Sequence, residues 1–271
     1  MKVDIWDFIN EKPHIGTEAC QVIGLPGTGK SLLAMAIFRE CLKKGDAGLA
    51  HGDRFCEWRH YYNYPSSIAE IRILYPHELD PIKEKVAFIR VPDFVKKALL
   101  PVNFEKLDIT KHLASQRLTI IYDAPYDISS QAWLWVNILK QCISRYQDDI
   151  VDLPITYLCH ESGVIWPETA LSESKLAKNH WWAVNTFAEL FVYFRKALIR
   201  AILVSQLESE IKWQIRHKCM FKIFKQGETP TTAPRPLRIA TSTLRLDQFN
   251  IQVGGPQGLY QRWMPIAKFT E

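Results

Sequence analysis

Eight consecutive residues, Gly24-Leu25-Pro26-Gly27-Thr28-Gly29-Lys30-Ser31, match the pattern G-x-x-x-x-G-K-[ST] in full. The residue types explain one another. Glycines at 24, 27 and 29 let the backbone curl until its N–H groups converge on an anion. The lysine that follows reaches the outer phosphates of a nucleotide, and the serine hydroxyl holds a magnesium ion. The chemistry implied is binding of a nucleoside triphosphate, with Lys30 on the β- and γ-phosphates and Ser31 on Mg²⁺.

Hydrolysis asks for a further group: an acid at the end of a strand beside the phosphates. Two segments compete for that role. RLTIIYDAP ends on Asp123, a candidate Mg²⁺ ligand, with Ala124 where many ATPases carry a glutamate. ITYLCHES ends on His160-Glu161, with the glutamate present and a histidine where aspartate is usual. Asp123 has a second explanation, as the turn-initiating acid two residues ahead of Pro125.

These residues need strands and helices to hold them. The apolar run at 20–23 reads as a strand leading into the loop, and 30–43 as a helix with Leu32, Leu33, Ala36, Ile37 and Leu42 at helical spacing. Further strands are expected at 117–122, 155–159, 201–205, 219–224 and 248–253. Helices are expected at 129–146, with Ala132, Trp133, Val136 and Leu139 facing inward, and at 185–195. This alternation predicts an α/β protein with a mainly parallel sheet, the loop-bearing strand near its centre and helices on both faces. Residues 50–115 read as an insertion within one domain spanning 1–271, with a strand at 86–91 and a helix at 93–100.

The chain beyond Glu161 chooses between the two acids. A loop, SGVIWPE, leads to a helix ending in Phe194-Arg195-Lys196, then to the strand AILVS and Gln206, then to Ile211, Ile215 and Arg216. This order resembles the FtsK–HerA superfamily of P-loop ATPases, over residues 24–43 and about 118–226. The resemblance implies a RecA/ASCE-like P-loop NTPase fold and an ATPase using ATP and Mg²⁺. Carried onto this chain, Glu161 polarises the attacking water and Gln206 senses the γ-phosphate. Arg195 or Arg216 acts as an arginine finger on a neighbour's nucleotide within a homo-oligomeric ring. The implied task is ATP-driven movement of double-stranded DNA, by translocation or by viral or plasmid genome packaging. Two alternatives stay open: a zonula occludens toxin-like assembly or secretion ATPase acting on protein, and an AAA-like replication ATPase. A capsid portal or a secretion complex would be the protein partner. His160 departs from the family pattern, because imidazole is a poor partner for the water shell of Mg²⁺. Either Asp123 supplies the missing carboxylate or hydrolysis is slow.

Composition bounds the rest. The chain has 271 residues, 47% hydrophobic and 23% charged, which suits one globular α/β core. A net charge of +5 permits contact with nucleic acid without demanding it. Six cysteines, with no C-x-x-C pair, fit a reducing compartment, hence the cytoplasm, or host cytoplasm for a viral protein. Acids near the N-terminus and the lack of a run of ~20 apolar residues predict neither a signal peptide nor a membrane span. Trp181 and Trp182 fall between Glu161 and Gln206. In a ring they would face a pore or a neighbour; otherwise they are a hydrophobic anchor.

Overall fold

A computed structural model describes residues 8–9, 19–51, 68–79, 97–123, 125–147, 153–169, 175–227, 244, 248–253 and 262–265. Ten strands form one sheet: β1 Ala19–Ile23, β2 Ala47–His51, β3 Glu70–Pro76, β4 Leu99–Val102, β5 Arg117–Ile121, β6 Ile155–Cys159, β7 Ile199–Ser205, β8 Phe221–Phe224, β9 Gln248–Val253 and β10 Arg262–Pro265. Their order across the sheet is β10-β9-β8-β1-β7-β6-β2-β5-β3-β4. The eight strands from β8 to β4 are parallel, and β9 and β10 continue antiparallel at one edge. The helices are α1 Lys30–Lys43, α2 Ile128–Gln147, α3 Ser162–Ile165, α4 Lys175–Leu190 and α5 Trp213–Arg216.

The central strands are buried on both faces, so they read as continuous apolar runs. β7 shows the division of labour. Ile199, Ala201 and Leu203 enter one core with Trp135, Tyr157, Trp166 and Phe187, while Ile202 and Val204 enter the other with Val22, Phe38 and Leu158. Helix α1 covers the second face. Helices α2 and α4 cover the first. Asp127 starts α2 by accepting from the backbone N–H groups of Ser129 and Ser130, at 2.9 and 3.1 Å. In α2 the fully enclosed indole is Trp135; Trp133 is half-buried.

Three expectations change. The chain at 50–115 does not stand apart from the sheet: β3 and β4 extend it beyond β5. Leu99 and Leu100, expected at the end of a helix, lie on β4 beside Ile73 and Leu74. The strand expected at 86–91 lies outside the described residues. The helix before β7 begins at Lys175 and ends at Leu190, well ahead of Arg195. There the chain tightens into a 3₁₀ turn at Phe191–Tyr193. That turn carries both Phe191 and Phe194 into the core beside Phe187, with ring centroids 5.5 and 5.9 Å from it. Arg195 is left in the turn that feeds the amino end of β7. Among the described residues no helix is long and apolar enough to cross a membrane.

Candidate active site

The carboxyl ends of the parallel strands form one edge. Along it stand, in order, the loop after β1, Gln206 after β7, His160-Glu161 after β6, His51 on β2 and Asp123 after β5. The glycine-rich loop turns back on itself. Thr28 Oγ1 and Lys30 Nζ both donate to the Leu25 carbonyl, at 2.8 and 2.9 Å. The Leu25 N–H donates to the Gln226 carbonyl at 3.0 Å, which moors the loop to the end of β8. Gly29 caps α1 at φ 80°, ψ 21°, a left-handed conformation in which a side chain would be strained. The first N–H groups of α1 therefore open into the loop, as an anion site requires.

A cleft of about 390 Å³ lies over this loop, and Lys30, Ser31, His160, Glu161 and Gln206 line it. Strand order brings them together. β7 lies between β1 and β6, so Gln206 stands between the loop and Glu161. Glu161 holds φ 54°, ψ 37° while capping α3. A left-handed glutamate costs roughly 1–2 kcal/mol, and such strain concentrates at functional positions. Neighbouring contacts fix it. The Ser162 hydroxyl donates to the Val204 carbonyl at 2.6 Å, and the Val164 N–H donates to the Glu161 carbonyl at 2.8 Å. The Glu210 carboxylate accepts from the Gln206 N–H at 2.8 Å, and Gln21 Nε2 donates to the Ser205 hydroxyl at 3.0 Å. The end of β7 is thus tied to β1 and to its own following turn.

Asp123 is elsewhere. It sits two strands beyond β6, about 10 Å away at ordinary strand spacing, and is fully enclosed. The Trp135 indole N–H donates to its Oδ2 at 2.9 Å, and His51 Nε2 lies 3.1 Å from the same oxygen. His51 stacks on Trp135 with centroids 5.0 Å apart. The expected magnesium role of Asp123 is therefore corrected: its carboxyl belongs to a buried cluster with His51 and Trp135 rather than to the cleft. Arg195, before the amino end of β7, and Arg216, at the end of α5, are half-buried and do not line the cleft of their own chain.

Sequence patterning does not reveal His51, because its strand, AGLAH, carries almost no periodicity. Burial, and then neighbouring His160, push its imidazole pKa down to about 3. His51 is therefore uncharged at neutral pH. The sign of the pH effect is set by proton uptake. The unfolded chain takes up a proton near pH 6.5 that the folded chain refuses until about pH 3. The stabilisation is complete above pH 6.5 and is lost as pH falls from there toward 3. Urea-unfolding midpoints are expected to drop across this window, and His51→Phe to flatten the slope whatever it does to absolute stability.

No protein-family model matches the chain. No curated protein matches it in sequence. Solved structures do match in shape, and with the loop they define the class: this is the α/β fold of P-loop NTPases. The genome packaging NTPase B204 from Sulfolobus turreted icosahedral virus 2, in complex with sulfate, superposes with a TM-score of 0.55 at 11% identity, over 94% of this chain and 98% of that one. The same NTPase in complex with AMPPCP gives 0.53 at 13% identity, over 94% and 100%. The pCW3 conjugation coupling protein TcpA, in its monomer form with ATPgS, gives 0.50 at 10% identity, over 95% of this chain and 62% of that one.

Proposed function

We propose that this protein is an ATP-driven motor of the FtsK–HerA type that moves double-stranded DNA, in the manner of a genome-packaging ATPase. The observation that supports this best is strand order. With β7 between β1 and β6, a sensor glutamine and a catalytic glutamate flank one phosphate loop. Lys30 would hold the β- and γ-phosphates, Ser31 would hold Mg²⁺, and Glu161 would orient and deprotonate the attacking water. Gln206, one strand from the loop, would report the state of the γ-phosphate to the turn held by Glu210.

Neither Arg195 nor Arg216 reaches the cleft of its own chain. An arginine finger would therefore come from a neighbouring copy in a ring, with each site completed by the next subunit. The genome packaging NTPase and the conjugation coupling protein among the similar structures favour DNA as the polymer over a secreted protein. The site serves either reading.

Steady-state ATP hydrolysis with and without duplex DNA tests the proposal, with Lys30→Ala as the inactive control. The expected result is stimulation by duplex that falls steeply with added salt. Hydrolysis indifferent to DNA would remove the motor reading.

A further inference from the structure

Helix α4 carries an anomaly. Its inner face is ordinary: His180, Ala183, Val184 and Phe187 are buried. Its outer face presents two adjacent tryptophans to solvent, Trp181 and Trp182, 43% and 51% exposed. Exposed large aromatic rings clustered on one surface mark a binding site more often than chance. A third, Trp213 at 50%, stands opposite them on α5. Between the two helices runs a groove of about 610 Å³.

The groove is not simply apolar. Lys212, His217 and Lys218 line it beside the three indoles, and Glu189 is the one acid among the lining residues. The His217 ring lies 4.3 Å from that of Trp213, and Trp181 and Trp182 meet edge to face at 5.1 Å. The walls are firm. Lys212 and Trp213 donate their N–H groups to the Trp166 carbonyl and to the Glu168 carboxylate, which hold α5 against the segment after α3.

We propose that this groove binds single-stranded nucleic acid, with the indoles stacking on bases and Lys212 and Lys218 meeting phosphates. The two features required are present together: aromatic platforms, which accept any base, and cations along the same track. A protein-docking groove would be depleted of lysine at its centre. The net positive charge of the chain favours the same ligand. This site is separate from the nucleotide cleft, and binding there does not require hydrolysis. It adds to a duplex-moving motor a hold on unpaired strand.

The test is anisotropy of a fluorescein-labelled dT20 titrated with the full chain, without nucleotide, beside an abasic 20-mer. Trp182→Ala and Trp213→Ala are each expected to weaken dT20 binding roughly five- to hundredfold and to leave the abasic strand unaffected. Trp182→Phe should restore much of it, which separates stacking from misfolding. The double variant Lys212→Ala, Lys218→Ala should lower the slope of log affinity against log salt by about one. Equal affinity for dT20 and the abasic strand would overturn the proposal, as would tryptophan variants that bind normally. So would a native chain whose oligomeric state, measured by sedimentation, collapses on Trp182→Ala, because the groove would then be a subunit contact. Duplex-stimulated hydrolysis is a separate readout, so loss of the motor reading would leave this result standing.

Discussion

Glu161→Gln is expected to lower ATP turnover by ~10²–10⁴-fold while nucleotide binding stays near that of the native chain. The substitution removes a base and little else. Glutamine matches the size of glutamate and leaves Lys30 and Ser31 untouched. It also keeps the left-handed backbone at φ 54°. That conformation supplies a second arm. Glu161→Gly removes the conformational strain, so its melting temperature should hold or rise even though turnover is lost. A residue kept for stability would behave in the opposite way. The comparison variant is Asp123→Asn. Its carboxyl is enclosed with His51 and Trp135, so it should destabilise the fold yet leave turnover per folded molecule nearly intact. Stopped-flow phosphate release, paired with binding of a fluorescent nucleotide, reads all three. Should Asp123→Asn prove inactive while Glu161→Gln turns over, the catalytic strand would be β5 rather than β6.

The contrast between the two acids also shows where sequence stops. LTIIYDAP and ITYLCHES are both short apolar runs ending in acids, and local pattern treats them alike. Lateral position separates them. β6 is second from β1 and β5 is fourth, and strand order is set by crossovers that periodicity does not encode. The loop from Gly24 to Ser31, helix α1 and strand β6 are legible because glycine placement and long apolar periods are local signals. Strand β2 is not. Its Gly48 lies where a Cβ would come within 2.7 Å of the Phe38 ring, so small residues are demanded by α1 above it rather than by strand propensity. The start of helix α4 is hard to read for a related reason. Its outer face carries Trp181 and Trp182, which blur the polar side of an amphipathic pattern.

Arg200→Met is expected to destabilise the fold by ~3–5 kcal/mol, the usual effect of removing one partner from a buried ion pair. Arg200 and Asp46 are each about 2% exposed or less. Arg200 Nε donates to Asp46 Oδ2 at 2.8 Å, and the Thr156 hydroxyl donates to the same oxygen at 2.5 Å. A second guanidinium nitrogen donates to the Phe8 carbonyl. The knot joins the feet of three strands: Asp46 precedes β2, Thr156 is on β6 and Arg200 is opposite it on β7. Burial already holds the Asp46 pKa above its ordinary value, with Arg200 as the main opposing influence. Without the arginine that pKa rises further. A carboxyl with a raised folded pKa stabilises below its unfolded pKa and loses that contribution as pH rises through the folded value. The deficit of Arg200→Met should therefore shrink on acidification. Adding Asp46→Asn should recover much of it at neutral pH, since no buried charge is then left unpaired. Chemical denaturation of the native chain, the two single variants and the double variant across pH measures both effects. Glu161 and Gln206 stand at the opposite ends of β6 and β7, so turnover below the melting temperature carries separate information. Full turnover in Arg200→Met would mean that the knot sets stability alone. Reduced turnover in a folded variant would mean that strand register, held at one edge of the sheet, positions the catalytic pair at the other.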